Sequence, residues 1–581
     1  MKKILIISVM VCMCIQLNAQ YLDWVKQIGG ASIDRALAVT TDASGNIYAT
    51  GQYDDWVDFD PGPDTLLRGA TSSGEAFLIK LDATGNLQKL LTYGYTGSGH
   101  TVVGSNIALD ASGNIFTGGY FGGSNVDFDP DSIATFKLSY VGGGNNVFIQ
   151  KLDPSGKFLW AVSWCYAMET NANNMSEIGP SMVLDGLGNV LTTGRFNGTR
   201  DFDPSPTGVF NLPGGAYDGY ISKLNTDGEF VWAKQFAIGT SILSYIWPKS
   251  ISVDGANNMY VAGLFKGEVD FDPDTAATHK ITSETQVGFL AKLSADGDFL
   301  WVKTIGNNDY PLFDYHKANA VTADAAGNTY LTGSFMRTTN FGSMSLTSAG
   351  SSDIFITKLD PSGNFVWAKQ IGSFYDTEEG DQISLDENGD VYITGIFRGS
   401  PDFNPGPGST ILSTNGTLDM FVLKLTASGD FVWAKNYGGA AGTAGEQIAD
   451  IAIDGNAIYT VGRFQGVVNF DPNGVLNLTP VKSDIFIHKM SQGALSISKL
   501  VNDLGAVIYP NPTTDQFVVQ LPGVASMNAA ITLMDIQGRI IQKVSTTGTE
   551  TVIDVTTLPK GLYMLDIQKD SKRTIQKLIV R

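Results

Sequence analysis

One unit of about seventy residues recurs seven times between Trp24 and Met490, and its phase is offset at the two ends. Each copy reads as an apolar strand ending in Asp, a Gly-Asn turn, a Tyr-x-x-Gly strand, a Phe-Asp-Pro loop, a Phe-Ile-x-Lys-Leu strand and a Trp-Ala-Lys strand. The residue that opens the second strand marks the copies, at Tyr48, Phe116, Leu191, Tyr260, Tyr330, Tyr392 and Tyr459. This periodicity predicts a repeat architecture rather than one continuous core.

Residues 318–369 show what one copy builds. Short strands are predicted at 320–323, 330–333, 354–359 and 365–369, joined in pairs by Gly-containing turns. Four antiparallel strands form a twisted sheet that cannot bury both of its faces alone. Seven such sheets stacked around an axis bury one another, so the sequence predicts an all-β protein with a seven-bladed β-propeller over residues 20–490.

The offset of the repeat predicts how the ring closes. The Trp strand is missing after the seventh copy, and a spare one stands before the first copy at residues 24–28. We expect this N-terminal strand to pair with residues 484–490 and to complete the seventh blade. Such pairing removes the exposed sheet edges that an open array would present.

Two repeated positions are interpreted as scaffold. A glycine follows each second strand, where blades crowd together and the backbone needs a close approach. A tryptophan recurs in the last strand and is expected to pack between outer strands, at Trp160, Trp232, Trp301, Trp367 and Trp433. Lys89 takes this position in the first copy.

The motifs Asp-x-x-Gly-Asn-x-Tyr-x-Thr-Gly and Lys-Leu-Asp-x-x-Gly-Asn-Phe-x-Trp-Ala-Lys resemble the bacterial seven-bladed propeller repeats called SBBP repeats. The resemblance covers nearly all of residues 24–490. It implies an architecture and almost nothing about activity, because propellers serve binding, scaffolding and several chemistries.

The first nineteen residues have the pattern of a secretory signal peptide. Lys2 and Lys3 precede an apolar stretch, and residues 17–19 form a small-residue cleavage site. No other stretch is long and apolar enough to span a bilayer, so no transmembrane segment is expected in the mature chain. Cys165 is then the one cysteine left, which excludes an intramolecular disulfide.

Composition limits the classes of partner. The chain carries 58 Asp and Glu against 38 Lys and Arg, a formal net charge of −20. No basic stripe interrupts this acidity, so the sequence argues against nucleic acid or an anionic membrane as a partner.

After Met490 the repeat stops. Residues 491–505 are interpreted as a linker, and residues 506–581 carry alternating strands that predict a small C-terminal β-sandwich. This segment is similar to the C-terminal sorting domain of type IX secretion substrates. The landmarks of that resemblance include Tyr509, Pro510, Asn511, Pro512, Gly561, Tyr563, Lys577 and Arg581.

The resemblance implies that the chain engages the type IX secretion machinery and crosses the outer membrane. It further implies removal of the domain, with release of the protein or its attachment to the outer cell surface. No catalytic role for the domain follows from it.

Catalytic and metal motifs are absent from the sequence. The four histidines lack metal-ligand spacing, and neither a Gly-x-Ser-x-Gly elbow nor a phosphate loop appears in a fitting context. Carboxylates from different blades can still converge at the centre of a ring without any local signature. We therefore predict no catalytic residue and no cofactor, and the question of enzymatic activity stays open.

The Phe-Asp-Pro loops are the most repeated acidic feature. An Asp before Pro starts a turn, whereas oxygen-rich loops also suit a structural calcium ion. The repetition favours turns. The calcium candidates would be Asp58, Asp60, Asp127, Asp129, Asp201, Asp203, Asp270 and Asp272.

The copies differ most in the loops that lead into blades four to six, which are longer and aromatic. Aromatic rings are good binding anchors, so these loops predict a site for an extracellular glycan or protein. The candidate residues are Tyr245, Trp247, Tyr310, Phe313, Tyr315, His316, Phe374 and Tyr375. Two alternatives stay open: a polysaccharide hydrolase or lyase that uses carboxylates near the channel, and an inert structural protein of the surface or matrix.

Overall fold

The computed structural model describes residues 18–70, 74–94, 101–131, 134–139, 145–165, 180–215, 217–239, 241, 244–274, 276–306, 315–374, 377–439, 445–494, 504–521, 529–535, 540–546, 548–569 and 572–581. The predicted signal peptide and most of the predicted linker lie outside these residues. The chain is all-β, and within the described ranges no helix is long and apolar enough to cross a membrane. Leu22–Met490 forms one compact unit, and Ser491–Arg581 belongs to a second.

The larger unit contains seven groups of four antiparallel strands, which we call sheets one to seven. Their strands, named first to fourth in this order, are Arg35–Thr41, Ile47–Tyr53, Glu75–Leu81 and Leu87–Tyr93; Thr101–Leu109, Ile115–Gly122, Asn146–Leu152 and Phe158–Cys165; Ser181–Leu184, Val190–Phe196, Asp218–Leu224 and Phe230–Ile238; Tyr245–Val253, Met259–Asp270, Lys280–Leu293 and Phe299–Ile305; Lys317–Ala323, Thr329–Phe335, Asp353–Leu359 and Phe365–Ile371; Glu379–Leu385, Val391–Phe397, Asp419–Leu425 and Phe431–Tyr437; and Gln447–Asp454, Ala457–Phe464, Asp484–Ala494 and Asn18–Gly30.

Shorter strands form hairpins in the Phe-Asp-Pro segments. These pairs are Trp56–Asp58 with Leu67–Gly69, Val126–Asp127 with Lys137–Leu138, Arg200–Asp201 with Asn211–Leu212, Thr338–Phe341 with Met344–Thr347, and Val468–Asn469 with Asn477–Leu478. The fourth strand of one sheet also reaches the Phe-Asp-Pro segment of the next, as in the pairing of Gly29 with Asp58. Neighbouring sheets are therefore joined by backbone pairing as well as by side chains.

A glycine and a β-bulge shape each sheet where its first two strands meet. In sheet five the register slips between Ala318 and Ala320, opposite Gly333. A Cβ on Gly333 would collide with the backbone carbonyl of Lys317, so only glycine fits there. Sheets one, two, four, six and seven have the same slip opposite their own glycines. The bulge bends the first strand and turns one extra residue out of the ladder.

The tryptophans of the fourth strands contact the following sheet. Trp367 Nε1 donates to the carbonyl of Ala427, and Trp160 Nε1 donates to that of Thr226, each at 3.3 Å. Each ring lies beneath the glycine of the turn that it contacts. In sheet one, Lys89 replaces the tryptophan, and its ammonium donates to the carbonyl of Ser155. The position is thus a contact between sheets for either side chain.

The N-terminal strand occupies the fourth place of sheet seven, beside Asp484–Ala494. It makes the contacts that fourth strands make elsewhere. Trp24 Nε1 donates to the carbonyl of Ala83 in sheet one at 3.3 Å, and Gln27 Nε2 donates to Asp484 Oδ2 at 2.7 Å. Gln370 of sheet five likewise donates to Asp353 Oδ2 at 2.6 Å.

The first strands contact one another in cyclic order. Each touches the first strand of the sheets before and after it, and that of sheet seven touches that of sheet one. Side chains connect them: Val39 N donates to Asp450 Oδ2 at 2.9 Å, and Asn319 Nδ2 donates to the carbonyl of Gly380 at 3.0 Å. Side chains at the bulges of several sheets thereby face a common space.

The smaller unit contains two antiparallel sheets. One consists of Val507–Tyr509, Gln516–Gln520 and Glu550–Asp554, and the other of Ile540–Thr546, Ala529–Asp535, Gly561–Lys569 and Lys572–Val580. Apolar side chains of both sheets, including Phe517, Leu533 and Ile567, form one buried core. Two sheets around a single core are the organisation of a β-sandwich.

Candidate functional site

A cavity of about 260 Å³ lies among the first strands of the seven sheets. Its lining includes the bulged residue of six sheets, because a bulge turns that side chain away from the ladder. In sheet three, whose first strand starts later, Pro180 takes the same place. The seven residues are Leu37, Ser105, Pro180, Lys249, Asn319, Asp381 and Ala449.

These seven residues hold equivalent places in the repeat. Leu37 stands eleven residues before Tyr48, and Lys249 stands eleven before Tyr260; only in the seventh copy does a shorter turn reduce the spacing to ten. No two of the seven are of the same type, although the residues around them are repeated. A scaffold position tolerates few residue types, whereas a position that faces a ligand is free to differ in every copy. We therefore take this cavity as the candidate functional site.

A chain of polar contacts crosses the cavity wall from sheet four to sheet six. Lys249 Nζ donates to Asn319 Oδ1 at 2.9 Å, and Asn319 Nδ2 donates to Glu379 Oε1 at 2.8 Å. Lys317 Nζ lies 2.9 Å from the same oxygen of Glu379 and 3.2 Å from Oε2. Both oxygens of Glu379 are thus engaged.

The carboxyl groups around the cavity differ in their protonation. Burial opposes ionisation of Glu379, but the charges of Lys317 and Lys249 outweigh it and lower the pKa of Glu379. Burial, reinforced by the nearby charge of Glu379, raises the pKa of Asp381 to about 8. Burial also raises the pKa of Asp450 to about 7, against the backbone N–H groups of Val39 and Ile451. Near neutral pH, Glu379 is ionised while Asp381 is mostly protonated.

Trp247 forms one edge of the cavity and holds two cations against its ring. The guanidinium carbon of Arg195 lies 4.0 Å from the ring centroid, and Lys249 Nζ lies 5.3 Å from it. Arg195 also lies 5.4 Å from the ring of Tyr217. The negative face of an aromatic ring attracts cations, so Trp247 concentrates positive charge beside the cavity of an acidic protein.

The other predicted aromatic residues occupy different surroundings. Tyr245 Oη donates to Gln286 Oε1 at 3.0 Å, and His316 N donates to the carbonyl of Gln286 at 3.1 Å. His316 is fully buried, whereas Tyr315 and Phe374 are 52% and 69% exposed. Tyr310, Phe313 and Tyr375 lie outside the described residues. The structure therefore brings Trp247 to the cavity, links Tyr245 to the buried His316, and leaves Tyr315 and Phe374 on the surface.

The acidic loops form Asx turns. Asp58 Oδ1 accepts from the backbone N–H groups of Asp60 and Leu66 at 3.1 and 2.8 Å, and Asp60 Oδ1 accepts from that of Gly62 at 2.8 Å. The loops of Asp127 and Asp129, Asp201 and Asp203, and Asp270 and Asp272 repeat this pattern. Phe59 between the two carboxylates is buried in the core. Among the described residues, no group of three or more His, Cys, Asp or Glu side chains is placed to hold a metal ion.

Sequence reasoning missed Lys249, Asn319, Asp381 and Asp450. It treated the first strands as scaffold, because an alternating apolar pattern does not reveal where a bulge will turn one residue inward. The available signal was the column of the repeat in which all seven copies differ. That column appears when the copies are aligned on their glycines.

The landmarks of the C-terminal unit come together at one edge. Asn511 Oδ1 accepts from Ile579 N at 2.9 Å, which ties the Tyr-Pro-Asn-Pro segment to the last strand. Pro510, Pro512 and Arg581 line one surface depression. Tyr563 is buried and its Oη donates to the carbonyl of Pro559 at 2.7 Å. Gly561 and Lys577 lie in the two strands that pair there.

Comparison with known proteins finds weak similarity over the repeats. The chain is 24% identical over 513 residues to the uncharacterized WD repeat-containing protein L264 of Acanthamoeba polyphaga mimivirus. The match covers 77% of this chain and 36% of that protein, so the chain spans about a third of the length of this curated relative.

Two solved structures align with most of the chain at low similarity. PorZ, a surface component of the type-IX secretion system of Porphyromonas gingivalis, is 11% identical with a TM-score of 0.16, over 96% of this chain and 100% of PorZ. A protein of unknown function from Bacteroides thetaiotaomicron is 12% identical with a TM-score of 0.26, over 78% of this chain and 98% of its own. Both TM-scores are below 0.5, so neither structure establishes a shared fold or function.

The C-terminal unit gives a specific match. Residues 507–581 match the family described as the secretion system C-terminal sorting domain. The match contains the segment from Tyr509 to Pro512 and extends to the basic end at Arg581. The chain therefore ends in a type IX secretion sorting domain, which directs it to the cell surface or the extracellular space.

Proposed function

We propose that the protein is a secreted or surface-attached seven-bladed β-propeller that binds the end of a saccharide chain in its central cavity. The architectural part rests on three cyclic features: the order of the sheets, the contacts between first strands, and the contact of Trp24 with sheet one. The likeness to SBBP repeats belongs to the same proposal. The sorting domain supplies the location, with the type IX secretion machinery as its partner.

The single observation that carries the binding function is the variable column of the repeat. Seven unlike residues at one place in seven copies line one cavity, while the residues that build the bulge are repeated. A purely structural protein of the surface or matrix would give no reason for this column to differ from its surroundings.

The size and chemistry of the cavity favour a saccharide over a protein ligand. Small-molecule pockets span about 300–1,000 Å³, so the cavity is of a size for one sugar ring rather than for a folded surface. Its walls carry hydroxyl and amide groups, including Ser105, Asn106, Ser250 and Gln382. Such groups match the hydroxyl groups of sugars. A protein ligand would instead rest on the exposed rings of Tyr315 and Phe374.

Hydrolysis or lysis of a polysaccharide is a second candidate function. One observation favours it: Glu379 and Asp381 are close in sequence and have opposite pKa shifts, as an acid–base pair requires. However, Lys317 and Asn319 engage both oxygens of Glu379, so this carboxylate is not available to attack a sugar or activate water. The geometry therefore supports binding better than catalysis.

A glycan array and a solution-binding assay on the full mature chain test the proposal. We expect retention of at least one saccharide, and a loss of at least tenfold in affinity for Trp247→Ala with the fold intact. Tyr315→Ala is the comparison that separates a cavity site from a surface site. If Tyr315→Ala abolishes binding while Trp247→Ala does not, the cavity is not the site; if no saccharide binds, the binding function is wrong. Release of shortened products from a bound polysaccharide would instead favour the hydrolase or lyase.

A further inference from the structure

The charges around the cavity are opposite in sign to those of the chain as a whole. The protein carries a formal net charge of −20, yet Lys249 and Lys317 both reach the cavity wall and Arg195 lies behind Trp247. Glu379 balances one of these cations through its contact with Lys317. The remaining excess of positive charge is enclosed, where screening by solvent and salt is weaker than on the surface.

Lys249 occupies the bulge of sheet four, so its side chain is directed out of the ladder. Its ammonium donates to the uncharged amide of Asn319 and lies over the ring of Trp247. Both contacts orient the ammonium while leaving its charge to be balanced by groups in or around the cavity. An anionic group that entered the cavity would meet this charge first.

Asp381 occupies the bulge of sheet six and is 6% exposed. Its Oδ2 atom is buried without a hydrogen-bond partner among the described residues. A buried polar atom without a partner is costly unless something else satisfies it. Because burial keeps this carboxyl mostly protonated near neutral pH, its O–H can donate to an acceptor in the cavity.

Resting on the binding function proposed above, we propose that the ligand is an acidic saccharide, whose carboxylate is bound between the ammonium of Lys249 and the carboxyl group of Asp381. A carboxylate accepts hydrogen bonds through both of its oxygens, so it can satisfy one donor from each side. Hydrogen bonds between charged partners are roughly twice as strong as neutral ones, which is what discriminates an acidic sugar from a neutral one. The remaining hydroxyl groups of the sugar meet the Ser and Asn side chains of the wall.

The charged groups that face Asp381 set the pH range of this binding. They are Glu379 on the same strand, Lys317 and Lys249 from sheets five and four, and Asp450 from sheet seven. At pH 6 both Asp381 and Asp450 are mostly protonated, so the positive charges dominate. At pH 9 both are ionised and repel a carboxylate. The affinity for an acidic saccharide is therefore expected to fall at least tenfold between pH 6 and pH 9.

Matched pairs of saccharides test this inference on the full mature chain. The probes are oligogalacturonates, oligoglucuronates and oligomannuronates, each beside its carboxyl-reduced neutral counterpart, measured by titration calorimetry at pH 6 and low salt. We expect at least one acidic member to bind ten times more tightly than its neutral counterpart. Lys249→Gln should abolish this preference, whereas Lys303→Gln, on the fourth strand of the same sheet, should keep it.

A second variant tests the role of Asp381. Asn cannot ionise, so Asp381→Asn should retain binding at pH 6 and lose less of it at pH 9 than the wild-type protein does. Thermal unfolding of each variant shows that it is folded. If neutral saccharides bind and acidic ones are not preferred, or if Lys249→Gln keeps the preference, the inference is wrong while the binding function stands. If neither member of any pair binds and the glycan array is also negative, both are wrong.

Discussion

Truncation of Ile28 tests whether the N-terminal strand is part of the folded ring. Ile28 is 1% exposed and belongs to a core cluster that includes Val57, Phe77 and Ile485. Ile28→Ala removes three carbon atoms, worth about 0.8 kcal/mol each, and leaves a cavity that raises the total cost to about 2–5 kcal/mol. Ile371 holds the equivalent place in sheet five and is also 1% exposed, so Ile371→Ala is the matched control.

Tryptophan fluorescence during urea unfolding is the assay, because all nine tryptophans lie in the larger unit. Both variants should lose about 2–5 kcal/mol, and each should unfold in one transition with an unchanged dependence on urea. A loss below about 0.5 kcal/mol for Ile28→Ala beside a full loss for Ile371→Ala would refute this reasoning. So would an early separate transition for Ile28→Ala, because a strand that detaches alone does not close the ring.

Three further predictions concern the bulges, the buried carboxyls and the acidic loops. Gly333→Ala should lower the free energy of unfolding by about 1–3 kcal/mol or more, since its Cβ would meet the carbonyl of Lys317; an unchanged urea midpoint would contradict the bulge argument. The pKa of Asp381 is raised from 3.8 to about 8 in the folded state, so its contribution to stability is complete below pH 3.8 and is lost as the pH rises through about 8. The wild type should therefore lose stability on the order of a few kcal/mol across this range, and Asp381→Asn should lose less; equal losses would show that Asp381 does not titrate as described. Finally, a calcium chelator should leave the melting temperature within about 1 °C, because carboxylates such as Asp58 already accept backbone N–H groups; a fall of several degrees that added calcium reverses would show that these loops bind calcium.

Much of the strand order follows from the sequence because it depends on repeated local signals. The turn at Gly327 needs a positive φ, which is 86° in the structure, and the sequence carries glycine in the matching turn of each copy. The place of Trp24 in sheet seven follows from the same repeat, since a strand that is missing at one end and present at the other has one partner available. These signals recur seven times, so chance variation in one copy does not hide them.

The cavity could not be found in this way, because it depends on contacts between distant copies. Lys249 and Asn319 are 70 residues apart, and nothing near either residue in sequence indicates that they meet. Trp247 was selected as a ring on a long loop, yet it lies in a strand and holds Arg195 against its ring. Packing between blades decides such contacts, and the periodicity of a single copy carries no information about it.

A crystal structure of the full mature chain with the saccharide that binds most tightly is the most direct test of the central claim. The account predicts electron density for a sugar ring inside the cavity, with its carboxylate within 3.2 Å of both Lys249 Nζ and a carboxyl oxygen of Asp381, the upper limit for a good hydrogen bond, roughly. A saccharide bound elsewhere, for example on the exposed rings of Tyr315 and Phe374 with the cavity empty, would contradict it.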